Sequence, residues 1–175
     1  MKIIGKKGYD ANLALPGEKV AYYHLPGLFE FYELYRVFLP LFRMHREYFY
    51  DWCEIGSIYG APSDCIWGGG RTSFGTVDPR DVLALMQEYG ISSRLTFSNS
   101  LLQKEHLADP KCNALCQLFS EKEEPQNGVI VHSDLLLDYL EHMYPDFSLL
   151  LRSGSRLPYP AQYNNAPKAG QDSCG

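Results

Sequence analysis

The chain has 175 residues, of which 45% are hydrophobic and 14% aromatic, a composition typical of one folded domain and not of a disordered chain. Its formal net charge of -5, without any basic run, argues against nucleic acid as a partner. No apolar stretch approaches the roughly 18 residues that a membrane span needs, and no apolar segment follows the first lysines, so we expect neither membrane contact nor a secretory signal.

The first elements in chain order are an irregular segment and a helix. Residues 1–27 are rich in Gly, Pro and Lys and are predicted to be irregular. From Leu28 onward, aromatic and aliphatic residues recur at steps of three and four, which predicts a long aromatic helix over 29–50. Pro40 falls on the polar side of this helix, where it favours a bend over a stop.

Short apolar runs then alternate with helical stretches. A helix is predicted after Asp78, ending at Gly90; another begins at Asp109 and Pro110, and a third is capped by Ser133. The alternation predicts an α/β fold of parallel strands joined by right-handed crossovers. The five predicted strands are Glu54–Gly60, Cys65–Trp67, Ser93–Ser98, Val129–His132 and Phe147–Leu151.

The composition changes abruptly after Leu151. The segment 152–175 is mostly Ser, Gly, Pro, Ala, Asn and Gln without periodicity, so we expect a disordered or foreign tail. The predicted organisation is therefore an irregular segment at 1–27, a β/α domain at 28–151 and this tail.

Three motifs carry a resemblance to a known family. "DCIWGGGRTSFG", "SRLTFSNSLL" and "NGVIVHSDLLLDYLEHMYPDFSLLL" resemble the N-terminal part of the collagenase-like peptidase family over residues 54–151. That family is marked by a strand ending in paired glycines, a following Phe-Gly, a strand ending in Asn and a strand ending near Asp. The "CIWGGGR" stretch is also similar to an "IWNGGR"-like strand of uncharacterised bacterial barrel proteins.

The resemblance implies a (β/α)8 TIM-type barrel and a group of enzymes that act as peptidases or as iron–sulfur-dependent hydroxylases. The cluster-binding cysteines of that group lie in a later part of the chain that has no counterpart here. A complete barrel of this class has about 250 residues and eight strands, whereas five strands are predicted here. We therefore expect an incomplete barrel, with truncation or a frameshift as its explanation.

Candidate site residues follow the predicted strands, because working groups in β/α barrels lie at the carboxyl ends of strands. Gly69, Gly70 and Arg71 could present backbone N–H groups and a guanidinium to an anionic or peptide-like substrate. The alternative is a tight turn with positive φ and a solvated arginine. Asn99 could orient a substrate amide or carboxylate, or could form an Asx turn or helix cap. We expect these four residues to share one rim with His132 and Asp134.

His132 and Asp134 are weak catalytic candidates, as a base and its partner. Asp134 and Ser133 also suit the first turn of the following helix, and capping is the favoured interpretation for them. We assign no catalytic residue beyond these two.

Five cysteines complete the set of reactive residues. They are an odd number and are predicted to be reduced thiols in a cytoplasm. Cys112 and Cys116 lie on one apolar helix face without the third cysteine of a radical-type iron–sulfur motif, so burial as small hydrophobes is favoured. We expect no metal site and no cofactor. The five are Cys53, Cys65, Cys112, Cys116 and Cys174.

The sequence leaves two functions open. The first is a barrel-enzyme fragment that binds a small anionic or peptide-like substrate at its rim and is inactive alone. The second is a non-catalytic binding or interaction module that self-associates through exposed strand edges and the aromatic helix.

Overall fold

Strands and helices alternate along the chain in a computed structural model, which describes residues 20–69, 77–121, 125–145 and 147–151. Within these ranges the strands are β1 (Ala21–Pro26), β2 (Cys53–Gly60), β3 (Ser92–Phe97), β4 (Gly128–Val131) and β5 (Ser148–Leu151). The α-helices are α1 (Tyr32–Met44), α2 (Pro79–Tyr89), α3 (Pro110–Phe119) and α4 (Asp134–Met143). Short 3-10 turns cover Arg46–Tyr48, Ile66–Gly68 and Lys104–Ala108.

The strands form one parallel sheet in the order β1-β2-β3-β4-β5. Each strand therefore pairs with its neighbour in the chain, as in the register Gly60–Leu95 and Leu95–Val129. The predicted α/β class with parallel strands is confirmed. The sheet is open over the described residues, with β1 and β5 at its two edges, so a closed barrel is not observed.

The main core lies between one face of the sheet and the helices. Alternate strand residues such as Ile58, Leu95, Phe97 and Val129 are fully buried, because successive side chains of a strand point to opposite faces. Helix α1 contacts α2 and α2 contacts α3, so these helices lie side by side in one layer. The helices contribute buried residues that include Leu39, Val82, Met86, Phe119, Leu136 and Leu140.

Three helix starts follow the predicted capping residues. The side chain of Asp78 accepts a hydrogen bond from Arg80 N (2.9 Å), and that of Asp109 accepts one from Cys112 N (2.8 Å). Ser133 Oγ accepts from Leu136 N at the start of α4 (3.4 Å). Each bond satisfies one backbone N–H that the first helical turn leaves without a helical partner. The predicted caps are confirmed.

The prediction of a strand at Cys65–Trp67 is wrong. Ile66–Gly68 forms a 3-10 turn instead. The physical reason is the side chain of Trp67, which is fully buried, packs edge-on against Phe97 and donates from Nε1 to the carbonyl of His106 (2.8 Å). An apolar triplet fits a buried turn as well as a short strand, and here the buried indole determines the turn.

The prediction that all of residues 1–27 are irregular is also wrong, because β1 occupies Ala21–Pro26. This strand pairs with β2 as an edge strand, and most of its side chains are exposed, so it lacks the apolar alternation by which strands are recognised. The ordered domain therefore includes residues before Leu28. The predicted tail at 152–175 lies outside the described residues.

Helix α1 is shorter than the predicted 29–50 and continues through Pro40, as expected for a bend in place of a stop. Tyr35 and Leu39 are its buried residues. A second apolar row on the same helix is exposed, at Leu34, Val37, Leu41 and Met44. None of the helices in the described ranges has both the length and the apolar character needed to cross a membrane.

Candidate functional site

The turn after β2 is fastened to the carboxyl end of β3. Ser98 Oγ donates to the carbonyl of Gly68 (2.8 Å), and Asn99 N donates to the carbonyl of Trp67 (3.1 Å). Gly69 ends the turn with φ +78°, and a Cβ built on it would lie 3.3 Å from Asn99 N. Two predicted site residues, Gly69 and Asn99, are thus brought into contact, and the tight-turn interpretation of the glycines holds for Gly69. The other two predicted members of this group, Gly70 and Arg71, lie outside the described residues.

The side chain of Asn99 is engaged within the loop. Its Oδ1 accepts from Leu101 N (2.9 Å), which makes an Asx turn, and its Nδ2 donates to the carbonyl of Ile66 (2.9 Å). The Nδ2 bond therefore holds the turn on the strand end, and the Oδ1 bond orders the loop that carries Asn99. Of the two interpretations of Asn99, this geometry matches the Asx turn.

His132 and Asp134 lie at the same edge of the sheet. His132 N donates to the carbonyl of Phe97 (3.0 Å), which places it beside the end of β3, and its side chain is exposed. Asp134 is the first residue of α4 and is exposed, after the capping Ser133. Neither side chain lines the two cavities at this edge.

Two adjoining cavities open at this edge. The larger, of about 440 Å³, lies between the first turns of α2 and α3. The smaller, of about 350 Å³, includes Gly69 and Asn99 in its wall. Both are lined by Ser63, Asp64 and Cys65, so these residues form the partition between them. The position matches the carboxyl edge of parallel sheets, where ligands of open α/β proteins bind.

The larger cavity carries charges of both signs. Arg80 and Lys111 contribute cations from the first turns of α2 and α3, and Asp64 and Asp78 contribute carboxylates. Lys111 Nζ pairs with Asp64 Oδ2 at 3.2 Å, and both side chains are mostly exposed. An exposed pair of this kind contributes little to stability, so a ligand can replace either partner at low cost.

Two cysteines that no sequence pattern combined, Cys65 and Cys112, lie next to each other in the structure. The sulfur atoms of Cys65 and Cys112 are 2.8 Å apart and both residues are buried. The hydrogen bond between the two sulfurs lowers the pKa of the Cys65 thiol, against the opposing effect of burial, and backbone N–H groups of Gly68 and Trp67 lower it further. The same bond and burial raise the pKa of Cys112. Since 47 residues separate the two cysteines, no local spacing could have indicated the pair.

The sheet face opposite the main core carries polar residues on three neighbouring strands. His24 Nδ1 and Ser57 Oγ are 2.7 Å apart, and Tyr59 is in register with Arg94. Burial lowers the pKa of His24, with a second contribution from the charge of Arg94. The alternation of these residues with buried Ile58 and Leu95 was the signal that could have revealed this polar face.

No group of three or more His, Cys, Asp or Glu side chains in the described ranges is arranged to hold a metal ion. No protein-family model, curated protein or solved structure matches the chain. The fold and the site therefore define the chain only as an α/β protein with a parallel sheet and a charged cavity at the carboxyl edge of that sheet.

Proposed function

We propose that the chain is part of the wall of a β/α barrel and that the cavities at its carboxyl edge bind a small anionic or peptide-like ligand. The strand order supports a barrel wall, because parallel strands that pair in chain order with their helices side by side are the arrangement of singly wound barrels. The observation that carries the binding proposal is the lining of the larger cavity, with Arg80 and Lys111 facing the same space as Asp64 and Asp78.

A peptide-like ligand fits this lining better than a simple anion. A ligand with one carboxylate and one ammonium group can pair with a cation and a carboxylate at once, whereas an inorganic anion meets two carboxylates as well as two cations. The cavity volume of about 440 Å³ falls within the usual range for small-molecule sites. The lining supplies charges and hydrogen bonds, and neither His132 nor Asp134 is part of it, so the proposal is one of binding and not of turnover.

The test compares three small probes by isothermal titration calorimetry on the full chain. Diglycine carries both charges, N-acetylglycine only the carboxylate, and glycinamide only the ammonium group. We expect diglycine to bind most tightly. Lys111→Met and Arg80→Met each remove one charged partner and should weaken diglycine binding about tenfold, equivalent to about 1.4 kcal/mol.

Lys104→Met is the matched control, because Lys104 is exposed and lines neither cavity. It should bind diglycine as the unmodified chain does. Equal weakening in all three variants would indicate a nonspecific effect of net charge, and the absence of any diglycine binding would refute the proposal.

A second candidate function, assembly with another copy of the chain, is favoured by the exposed row on α1. Leu34, Val37, Leu41 and Met44 follow a spacing of three, four and three residues, which places them on one face of the helix. Val37 is 60% exposed and Met44 66% exposed. Contiguous exposed apolar residues of this kind are typical of interaction surfaces.

Sedimentation velocity tests this candidate at increasing protein concentration. If the row mediates self-association, Val37→Glu should keep the chain monomeric at concentrations where the unmodified chain assembles. Leu101→Glu is the control, since Leu101 is 82% exposed and lies far along the chain from α1. A monomeric unmodified chain at every concentration would exclude this candidate and leave the ligand proposal untouched.

A further inference from the structure

Cys65 and Cys112 form a thiol pair that joins two elements distant in sequence. Cys65 precedes the 3-10 turn after β2, and Cys112 lies in the first turn of α3. Their sulfur atoms are 2.8 Å apart. The backbone N–H of Cys112 donates to the carboxylate of Asp109 at 2.8 Å, so the Cys112 sulfur lies on a capped helix start. Formation of a bond of about 2.0 Å requires the sulfurs to approach by only about 0.8 Å.

The two cysteines of the pair differ in their position relative to the cavities. Cys65 is only 4% exposed, but it lines both cavities at the carboxyl edge. Cys112 and Cys116 line neither of them and are fully buried. Geometry therefore distinguishes a cysteine in the cavity wall, Cys65, from a fully buried partner, Cys112.

We propose that Cys65 and Cys112 are a redox-active dithiol that a small hydroperoxide oxidises to an intramolecular disulfide. The assignment does not depend on the proposed ligand binding. The arrangement is that of thiol redox sensors, in which an accessible cysteine reacts first and a neighbouring cysteine resolves the product.

The position of Cys65 in the wall of both cavities assigns it the first step, and Cys112, which lines neither cavity, is the resolving cysteine. The lowered pKa of Cys65 and the raised pKa of Cys112 agree with this assignment. The Cys65 thiolate attacks one peroxide oxygen and breaks the O–O bond, giving Cys65 sulfenic acid and, after protonation, an alcohol or water. The Cys112 sulfur then attacks the sulfenic sulfur, the S–S bond forms, the S–O bond breaks and water leaves.

The reaction balances. The two thiols lose two electrons and two protons, and the hydroperoxide takes them up to become an alcohol and water. With hydrogen peroxide the products are the disulfide and two molecules of water.

The test treats the full chain with hydrogen peroxide at one equivalent, blocks remaining thiols with N-ethylmaleimide under denaturing conditions, and maps the peptides by mass spectrometry. We expect a linked peptide pair containing Cys65 and Cys112, with Cys53 and Cys116 alkylated. Predominant linkage of any other pair, or alkylation of all five cysteines after peroxide treatment, would overturn the proposal.

Two variants separate the roles further. Cys112→Ser should stop disulfide formation and leave a Cys65 sulfenic acid that dimedone traps. Cys116→Ala is the matched control, because Cys116 is equally buried and one turn further along α3, and it should still form the Cys65–Cys112 disulfide. A dimedone adduct on another cysteine would contradict the assignment of Cys65 as the nucleophile. The peptide map of the unmodified chain decides the linkage even if a variant does not fold.

Discussion

Replacement of Asn99 by alanine tests whether this side chain holds the turn at the edge of the sheet. The change removes two hydrogen bonds of 2.9 Å, from Nδ2 to the carbonyl of Ile66 and from Leu101 N to Oδ1. The bond from Asn99 N to the carbonyl of Trp67 remains, because it uses the backbone. A neutral hydrogen bond contributes about 0.5–1.5 kcal/mol, and water can replace part of these bonds because the loop is partly exposed. We expect a loss of about 1–2 kcal/mol in the free energy of unfolding.

The assay is urea unfolding followed by circular dichroism, with a thermal scan beside it. For a chain of this length the expected loss lowers Tm by about 3–6 °C. The control is Ser100→Ala, one residue along the same loop at an exposed position, which should leave both values unchanged. If Asn99→Ala unfolds like the unmodified chain, or if Ser100→Ala loses as much, Asn99 does not fasten the turn.

Three further predictions concern the fold. Gly90→Ala should lower the free energy of unfolding by about 1 kcal/mol, because Gly90 has φ +65°. No atom lies within 4 Å of the added Cβ, so the loss comes from the backbone conformation alone. An unchanged midpoint in chemical denaturation would contradict the αL cap. Leu95→Ala should lower the free energy of unfolding by about 2–5 kcal/mol, whereas Leu101→Ala should lower it by less than about 0.5 kcal/mol. Equal losses in the two variants would contradict the assignment of the core. The pKa of Tyr35 and that of Tyr144 are both raised from 10.0 to about 12, chiefly by burial, so between these values the folded chain retains protons that the unfolded chain loses. Stability should therefore fall as pH rises from 10.0 to about 12. Replacing both tyrosines by Phe should flatten this dependence in thermal melts recorded at several pH values. An unaltered slope in the double variant would refute the assignment of the pH dependence to these two tyrosines.

The helices and the three inner strands of the sheet, β2, β3 and β4, could be predicted because their sequence signals are local. Asp78 with Pro79, and Asp109 with Pro110, are start signals contained in two adjacent residues, and the structure uses both. Strands β2, β3 and β4 combine apolar alternation with polar breaks, and their predicted positions agree with the observed ones within one residue at each end.

The failures have nonlocal causes. The turn at Ile66–Gly68 depends on an indole that bonds to His106, 39 residues away. β1 depends on pairing with β2, because its own side chains are largely exposed. Such contacts are absent from a local window of sequence, so pattern reasoning placed a strand where there is a turn and an irregular segment where there is a strand.

The candidate site could also be predicted only in part. The carboxyl edge of the sheet follows from the parallel β/α order, and Gly69 and Asn99 were expected to meet there, as they do. The cavity lining, however, comes from Asp64 and Lys111, which are 47 residues apart. Their meeting depends on how α3 packs beside the loop after β2, and that packing has no signature in either segment.

Ligand binding at the carboxyl edge of the sheet can be tested by titrating the ¹⁵N-labelled full chain with diglycine and following the amide chemical shifts. We expect saturable shifts concentrated at Asp64, Cys65, Gly69 and Lys111, with the amides of β1 unchanged. We also expect Lys111→Met to raise the diglycine concentration at the midpoint about tenfold and Lys104→Met to leave it unchanged. Shifts spread evenly over the chain, or confined to the exposed row of α1, or absent at about 10 mM diglycine, would contradict a ligand site at the carboxyl edge of the sheet.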